Sequence, residues 1–365
     1  MKKILSILLV LTLCLTSVAT LAQGTTIANE ADRNIKGKNK VADGTYSENP
    51  IIDGKSPTTG LDWNGIGDYQ PMLVQIDTTD GGVGVRSPWG AEYADIIYET
   101  PLYKQGQTRM SFLFSDYIPA SAGPVRSARV GHAWLREEWD AGFLFFGSQE
   151  LKGSSVSSVF KTTGANKKGV IFSGIVGAGK PWAKFYNRAP GLKSPSNMDA
   201  NVKEIRNLIP KSHVAIPHPF LFSDELPTMG ETATQIHVEN KHKQYISDFE
   251  YNASENTYYR SVAGQPFENR DFETLETKPI PIKNIIVQRT KVGWNDGNGV
   301  APLTEHIGKG NADIFIGGKY IAGYWERPNY QSRTVYMDQD GNEIQLQRGK
   351  TFILVTQYET PVSYK

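Results

Sequence analysis

Several charged side chains between residues 95 and 129 have types and spacings that suit the binding of an anion. Arg126, Ser127 and Arg129 follow a Gly-Pro turn and come directly before a predicted helix. The first turn of a helix offers N–H groups and the positive end of the helix dipole. An arginine side chain can bind a carboxylate or a phosphate through two hydrogen bonds. Together with Arg109, which opens a predicted strand, these residues are the predicted ligand-binding set.

Two carboxylates in the same stretch suggest an alternative chemistry. Glu99 ends a predicted strand, and Asp95 lies four residues before it, so both point to the same face of an extended strand. In this alternative Glu99 is the acid or base of a hydrolase or transferase, Asp95 is a candidate second carboxylate, and the arginines hold the negative charge of the substrate. A third interpretation is structural: Glu99 and Arg109 face the same strand end and belong to a buried ion-pair network. The sequence leaves open whether the protein is an enzyme.

A mixed set of elements must position these residues. One helix is predicted over 130–140, from the spacing of its tryptophans and Leu135, and another over 198–208 with Asn197 as its cap. Apolar runs predict strands at 72–76, 94–99, 110–114, 142–146 and 170–172. These segments predict a mixed α/β domain over residues 61–209.

The remainder of the chain has a different pattern. From residue 232 to residue 365 the apolar runs are short and separated by turn residues, which is typical of a mostly-β domain. Residues 210–231 contain four prolines and are the predicted linker. The predicted fold class is therefore α+β, a mixed α/β N-terminal domain followed by a mostly-β C-terminal domain.

The N-terminus has the pattern of a secretory signal over residues 1–22. Lys2 and Lys3 precede an apolar stretch, and Ala22 is the predicted cleavage position. The stretch is shorter than the roughly 20 residues of a membrane-spanning helix. Cys14 is the minor alternative, a lipid attachment site, although the residue before it is Leu13 rather than a small one. Residues 23–60 are polar and predict a flexible tether.

Composition excludes several classes of protein. The 365 residues include 39 Lys+Arg and 38 Asp+Glu, and this near-neutral balance argues against nucleic acid as a partner. Removal of residues 1–22 takes away two lysines and no acid, which leaves 37 basic and 38 acidic residues and no cysteine. An internal disulfide, a Cys-rich metal site and a cysteine nucleophile are thereby excluded. The six histidines form no H-E-x-x-H motif, so neither a metal nor a cofactor is predicted.

Charge is unevenly distributed along the chain. Residues 152–211 contain eleven Lys or Arg against Asp199 and Glu204, whereas residues 220–280 contain eleven Asp or Glu against five Lys or Arg. This asymmetry indicates either a basic face on the first domain or a dispersed, solvated set of lysines.

Several motifs together resemble the YerB-like lipoprotein family, DUF3048. The heptapeptide GPVRSAR at residues 123–129 matches the family pattern without a change, and ADIIYE at 94–99 and SPTTGL at 56–61 are similar to it. The C-terminal similarities are Gly318-Lys319, Gly323-Tyr324-Trp325, Asp340-Gly341 and Gly349-Lys350-Thr351. The chain departs from the pattern at Phe146-Gly147, where the family has His-Gly, and at Pro195-Ser196-Asn197, where it has Pro-His-Asn.

The resemblance implies a two-domain protein of the Gram-positive cell envelope, usually tethered to the membrane, and it supplies no activity. We therefore expect a secreted or envelope-associated protein that binds an anionic envelope polymer, peptidoglycan or a partner protein through its arginine cluster. The alternatives are an enzyme acting on an envelope polymer through Glu99, and a structural partner of other exported proteins that offers strand edges. Contact with the membrane is expected only through an uncleaved signal or a lipid anchor.

Overall fold

The computed structural model describes residues 24–26, 54–63, 69–78, 87–175, 177 and 179–365. The protein is mostly β, with 41% strand and 11% helix, so the predicted α+β class describes it loosely. The predicted signal peptide, residues 1–22, lies outside the described ranges. No helix within those ranges is long and apolar enough to cross a membrane.

Eleven strands form one continuous sheet, which we call the central sheet. Ten of them lie side by side in the order Glu231–Thr232, Lys319–Arg327, Gly308–Ile316, Asn284–Thr290, Thr351–Gln357, Ile96–Pro101, Thr108–Phe114, Met72–Ile76, Gly142–Phe145 and Ile171–Ser173, and Val335–Asp338 pairs with Lys319–Arg327. The sheet contains strands from both predicted domains. They meet where Thr351–Gln357 runs parallel to Ile96–Pro101, with Thr351 opposite Ile96.

A second sheet of six strands, the outer sheet, covers one face of the central sheet. Its strands lie in the order Thr25–Thr26, Val362–Tyr364, Gln235–Val238, Ser247–Asn252, Thr257–Val262 and Gln265–Pro266. Five two-stranded ribbons complete the β structure of the described ranges: Glu150–Leu151 with Ser154–Ser155, Tyr186–Arg188 with Met198–Ala200, Phe222–Ser223 with Leu346–Gln347, Glu268–Arg270 with Thr277–Pro279, and Val292–Trp294 with Pro302–Thr304.

Three helices accompany the sheets: α1 (Val130–Glu138), α2 (Val156–Thr163) and α3 (Val202–Arg206). Helices α1 and α2 pack on the face of the central sheet that is opposite to the outer sheet. Helix α1 ends two residues before the predicted position because Asp140 adopts a left-handed conformation, with φ 43°. The result is three layers: helices, central sheet and outer sheet.

Alternation along the central strands assigns side chains to the two faces. Leu73 and Leu113 belong to the core under the helices, whereas Val74 and Phe112 belong to the core under the outer sheet. The same alternation assigns each polar side chain at a strand end to one of the two faces. Charged groups can form ion pairs only with groups on their own face.

The predicted helix over 198–208 is wrong in its first half. Met198–Ala200 is a strand that pairs with Tyr186–Arg188, and the helix begins only at Val202. The cap is Asn201, whose side chain accepts a hydrogen bond from the Glu204 N–H at 3.0 Å, and not Asn197. Pairing with the preceding strand Tyr186–Arg188 therefore outweighs local helix propensity here.

Two segments that the sequence places outside the domains contribute to the folded body. At the end of the predicted tether, Ser56, Thr58 and Thr59 are buried, so the tether prediction does not hold for residues 54–60. In the predicted linker, Phe220 and Phe222 are buried in the core under the helices.

Candidate anion-binding site

The arginines of the predicted set meet around a carboxylate that the sequence analysis did not select, Asp77. Asp77 directly follows the strand Met72–Ile76 and, by alternation, lies on the helix side of the central sheet. Arg109 pairs across the neighbouring strands with Thr100 and lies on the same side. Nη2 of Arg109 is 3.6 Å from Oδ1 of Asp77, and Nε of Arg126 is 2.9 Å from Oδ2.

The GPVRSAR segment brings Arg126 to this position by packing tightly beside the strand Met72–Ile76. The Arg126 N–H donates to the Gln75 carbonyl at 2.9 Å, and the Val125 N–H donates to the Met198 carbonyl at 2.6 Å. A side chain at Gly123 would collide with Trp89, since an added Cβ would lie 2.3 Å from its ring. Only glycine therefore lets the segment approach this closely.

Ser127 and Arg129 border the same cluster. The Ser127 hydroxyl donates to the Phe146 carbonyl at 3.1 Å, and the Ser127 carbonyl accepts from Nη1 of Arg109 at 2.9 Å. Arg129 donates to the Ala128 carbonyl at 3.1 Å and forms a hydrogen bond with the Tyr103 side chain. Arg109 is buried, while Arg126, Ser127 and Arg129 are partly exposed.

The N-terminus of α1 contributes less than the sequence suggested. His306 and Thr304 pack against Gly131 in the first turn, and His132 is buried. Nδ1 of His132 accepts from the Arg129 N–H at 2.9 Å, so its proton lies on Nε2, which contacts the Thr100 hydroxyl at 2.8 Å. Burial and the nearby arginines hold the pKa of His132 well below its usual value, so this side chain adds no charge.

The surroundings of the cluster lower the pKa values of both Asp77 and Arg109, but for different reasons. Burial alone would raise the pKa of Asp77, but Arg109, Arg126 and the Ser196 hydroxyl outweigh it and hold that pKa below its usual value. Burial lowers the pKa of Arg109 to about 10; Asp77 opposes this effect, and repulsion from Arg129 and Arg126 adds to it. The guanidinium group of arginine is positively charged at neutral pH. Among the described residues, three positive charges and the one negative charge of Asp77 leave a local excess of two.

Glu99 does not join this cluster. It lies opposite Met110, on the face of the central sheet that meets the outer sheet. There its carboxylate accepts from Nη2 of Arg260 and from the Thr108 hydroxyl, both at 2.5 Å. The Arg260 guanidinium in turn lies 4.7 Å from the ring centre of Phe352 and 4.9 Å from that of Phe267. Glu99 and Arg109 lie at the same strand end, but their adjacent register positions point to opposite faces. The Glu99–Arg109 ion pair of the structural interpretation therefore does not form, and Glu99 pairs with Arg260 instead.

Asp95, the second candidate carboxylate, is buried in a separate polar network. Its Oδ2 accepts from the Ser115 N–H and hydroxyl, both at 2.6 Å, and from the Thr58 hydroxyl at 3.0 Å. Burial and the neighbouring Asp116 raise the pKa of Asp95 to about 7. Asp95 and Glu99 are four residues apart, about 13 Å along a strand, so the two carboxylates do not converge on one substrate atom.

The described residues offer no metal centre: no group of three or more His, Cys, Asp or Glu side chains in these ranges is arranged to hold a metal ion. The chemistry available at the cluster is that of hydrogen-bond donors and positive charge.

Sequence reasoning identified the arginines and missed three of their partners, Asp77, Ser196 and Tyr103. Asp77 had a local signal, since it is the first polar residue after a buried strand. Ser196 lies 119 residues further along the chain, where its hydroxyl donates to Asp77 at 2.7 Å, and no local pattern indicates this contact.

Comparison with known proteins agrees with this architecture. Residues 58–215 match the N-terminal domain and residues 236–353 the C-terminal domain of a family described as protein of unknown function DUF3048. The chain belongs to this family. It is 23% identical over 311 residues to a Bacillus subtilis (strain 168) protein named "Putative lipoprotein YerB", a match that covers 82% of this chain and 85% of the other. The crystal structure of YerB from Bacillus subtilis is similar with a TM-score of 0.64, covers 82% of this chain and 96% of that chain, and shares the fold.

Phe146 and Ser196, the two positions at which the sequence departs from the pattern it resembles, both contact the cluster. Phe146 contacts the cluster through its carbonyl, which accepts from Ser127. Ser196 contacts it through Asp77. Both positions at which the family pattern has histidine therefore lie at the arginine cluster in this chain.

Proposed function

We propose that this protein is an exported component of the cell envelope that binds an anionic ligand at the cluster of Arg109, Arg126 and Arg129. The observation that carries the proposal is the excess positive charge: three guanidinium groups converge, and Asp77 is the only described carboxylate that pairs with them. The ligand is an anionic group of a wall polymer, of peptidoglycan or of a partner protein.

The exposure of the cluster fits this role. Arg109 is buried behind Asp77 and the Ser127 carbonyl, where it fixes the geometry. The Arg126 side chain is 25% exposed, and Arg129 is partly exposed. Two donors therefore remain accessible to a ligand, and a third supports them from within the fold.

The envelope location rests on sequence features and on a relative. The signal pattern of residues 1–22 predicts export, and the name of the Bacillus subtilis relative suggests association with the envelope. An enzymatic role has less support because Glu99 is engaged by Arg260 and Thr108, on the opposite face of the sheet from the arginines.

Binding to purified Gram-positive cell wall tests the proposal. The protein from residue 23 onward is mixed with wall fragments at low and high salt, and the bound fraction is measured. We expect wild type to bind at low salt and to be released at high salt, because salt screens exposed charges. Arg126→Gln together with Arg129→Gln should weaken binding at least tenfold, as expected when charge-assisted hydrogen bonds are lost.

Lys291→Gln is the matched control, since Lys291 is 73% exposed and its ion-pair partner among the described residues, Glu305, is also at the surface. It removes positive charge and should bind like wild type. Equal binding by wild type and the double arginine variant would overturn the proposal.

A further inference from the structure

The arginine cluster continues into a second group of cations, one on the ribbon formed by Tyr186–Arg188 and Met198–Ala200 and one in the turn before it. We propose that Arg188 and Lys184 extend the cluster into a track, and that the ligand is a polymer with a phosphodiester charge in each repeat. This inference rests on the proposed function and specifies its ligand.

Arg188 is connected to the cluster by two independent sets of contacts. Its guanidinium lies 5.5 Å from the ring centre of Phe146, whose carbonyl accepts from Ser127. Its Nη1 also donates to the Asn197 side chain at 2.7 Å. Asn197 directly follows Ser196, the residue that donates to Asp77. Arg188 is therefore held at the border of the cluster while it remains exposed.

Lys184 lies four residues before Arg188, in the short 3-10 helix Ala183–Phe185 that leads into the ribbon. Its Nζ is 5.0 Å from the ring centre of Phe185, and the residue is exposed. No described carboxylate forms an ion pair with Lys184 or with Arg188. Asp199, on the same ribbon, instead accepts from the Trp89 and Ser121 side chains, so within the described ranges the positive charge continues outward from Arg109 without being neutralised there.

The separate positions of the accessible donors favour phosphate over carboxylate. Arg126 and Arg129 both belong to the GPVRSAR segment, but Arg126 is held by Asp77 and Arg129 by the Ala128 carbonyl and the Tyr103 side chain. Arg109 is buried and supports them from within the fold. A planar carboxylate is satisfied by one bidentate fork, whereas tetrahedral phosphate oxygens accept from donors that arrive from several sides. A cluster with an excess of two charges, followed by single cations, suits a chain of regularly spaced anions.

The surroundings of the track do not suit a nucleic acid. Proteins that bind single strands stack the bases on exposed aromatic rings. Here Arg188 lies over Phe146, and Trp182 packs against Phe172 with 5.4 Å between the ring centres. A polyol phosphate polymer needs no stacking surface and is the ligand class that this track fits.

The test measures the affinity of the protein from residue 23 onward for two probes, glycerol 3-phosphate and a fluorescent poly(glycerol phosphate) of about 20 units, at several salt concentrations. Wild type should bind the polymer more tightly than the monomer. The logarithm of the binding constant for the polymer should fall steeply with the logarithm of salt, as for contacts that release counterions.

Arg188→Gln with Lys184→Gln should leave monomer binding unchanged, weaken polymer binding about tenfold and make the salt slope shallower by one to two. Arg126→Gln with Arg129→Gln should abolish binding of both probes, and Lys291→Gln should change neither. Far-UV circular dichroism checks that each variant is folded.

The outcomes separate this inference from the proposed function. If the track variant binds the polymer as wild type does, or if wild type prefers the polymer no more than the monomer, the track is refuted and the cluster site remains. Polyglutamate or a single-stranded oligonucleotide of equal charge that binds as tightly as poly(glycerol phosphate) overturns the ligand assignment. If wild type binds neither probe nor cell wall, the proposed function fails as well.

Discussion

Asp77 gives the arginine cluster a fixed geometry at the level of single side chains. Its Oδ2 accepts from both Arg126 and Ser196, its Oδ1 accepts from the Thr78 N–H, and Arg109 lies 3.6 Å from Oδ1. A buried carboxylate among several guanidinium groups is stabilised by them, and it reduces their mutual repulsion. We infer that Asp77 holds the empty cluster together and that a bound anion adds to its effect.

Asp77→Asn is therefore expected to destabilise the protein by about 3 kcal/mol at neutral pH, the usual cost of leaving a buried charge unpaired. Urea unfolding with and without inorganic phosphate measures this cost, and phosphate should recover part of it because it binds only the folded state. Asp224→Asn, at a carboxylate that is 79% exposed, is the control and should change little.

The pH dependence follows from the sign of the pKa shift. The pKa of Asp77 is lowered in the folded protein, so its contribution is present above the unfolded value of about 3.9 and is lost as the pH falls below it. The stabilities of wild type and Asp77→Asn should approach each other toward pH 3. A constant difference between pH 3 and pH 7 would contradict this assignment.

The residue types of the site were accessible from sequence, but most of their partners were not. The arginines of GPVRSAR could be selected because they follow a Gly-Pro turn and precede a predicted helix, where an anion is bound favourably. The partner of Glu99 is Arg260, 161 residues away, and only the register between strands decides that Glu99 and Arg109 face opposite layers.

At the level of elements, the segment from Ser56 to Gly60 forms hydrogen bonds with both the N-terminal and the C-terminal part of the chain. The Ser56 and Thr59 hydroxyls donate to Asp116, each at 2.5 Å. The Thr59 carbonyl accepts from the Gly349 N–H at 2.8 Å. The segment thereby joins a loop after the strand Thr108–Phe114 to the loop before the strand Thr351–Gln357.

Asp95 lies beneath this segment. Its raised pKa predicts that the folded protein becomes less stable as the pH rises. Its pKa is raised from 3.8 to about 7 in the folded protein, so the proton stabilises the folded state below pH 3.8 and this contribution is lost as the pH rises to about 7. At about 1.4 kcal/mol per pKa unit, the loss is about 4 kcal/mol.

Urea unfolding of wild type and Asp95→Asn at pH 4, 6 and 8 measures this effect. Asparagine keeps an oxygen that accepts from Ser115 and Thr58 but carries no charge, so the variant should lack the decline between pH 4 and pH 7. Asp248→Asn, at a carboxylate that is 46% exposed, should keep it. A decline of the same size in Asp95→Asn would assign the effect to another group.

Elements that are buried on both faces were the easiest to predict from sequence. The strands Met72–Ile76 and Thr108–Phe114 are buried throughout and appear close to their predicted positions, because an apolar run of that length has few alternatives. The error at Met198–Ala200 arose where the partner strand, Tyr186–Arg188, is mostly exposed and has little apolar pattern of its own.

At the level of the whole molecule, the central sheet unites the two DUF3048 domains. The strand Thr351–Gln357 lies between Asn284–Thr290 and Ile96–Pro101 and is parallel to both. Composition distinguishes the two segments of the chain, but it contains no information on pairing between residues that are more than 250 positions apart. The sequence therefore predicted two sets of elements and did not predict that they share a sheet.

A shared sheet predicts one cooperative unfolding transition, because neither half can keep its central strands paired without the other. Tryptophan fluorescence and far-UV circular dichroism during urea unfolding should give the same midpoint. The fragment of residues 54–230, which lacks Thr351–Gln357, should not show this transition. Two separated transitions in the full protein, or a fragment as stable as the whole, would contradict the prediction.

The pairing of Thr25 with Tyr364 limits the distance between the outer sheet and any bilayer that holds residues 1–22. Gly24 and Thr25 are attached to the outer sheet, and the apolar segment ends two residues earlier, at Ala22. Two extended residues span about 7 Å. If residues 1–22 remain in a bilayer, the outer sheet must therefore lie against the lipid headgroups.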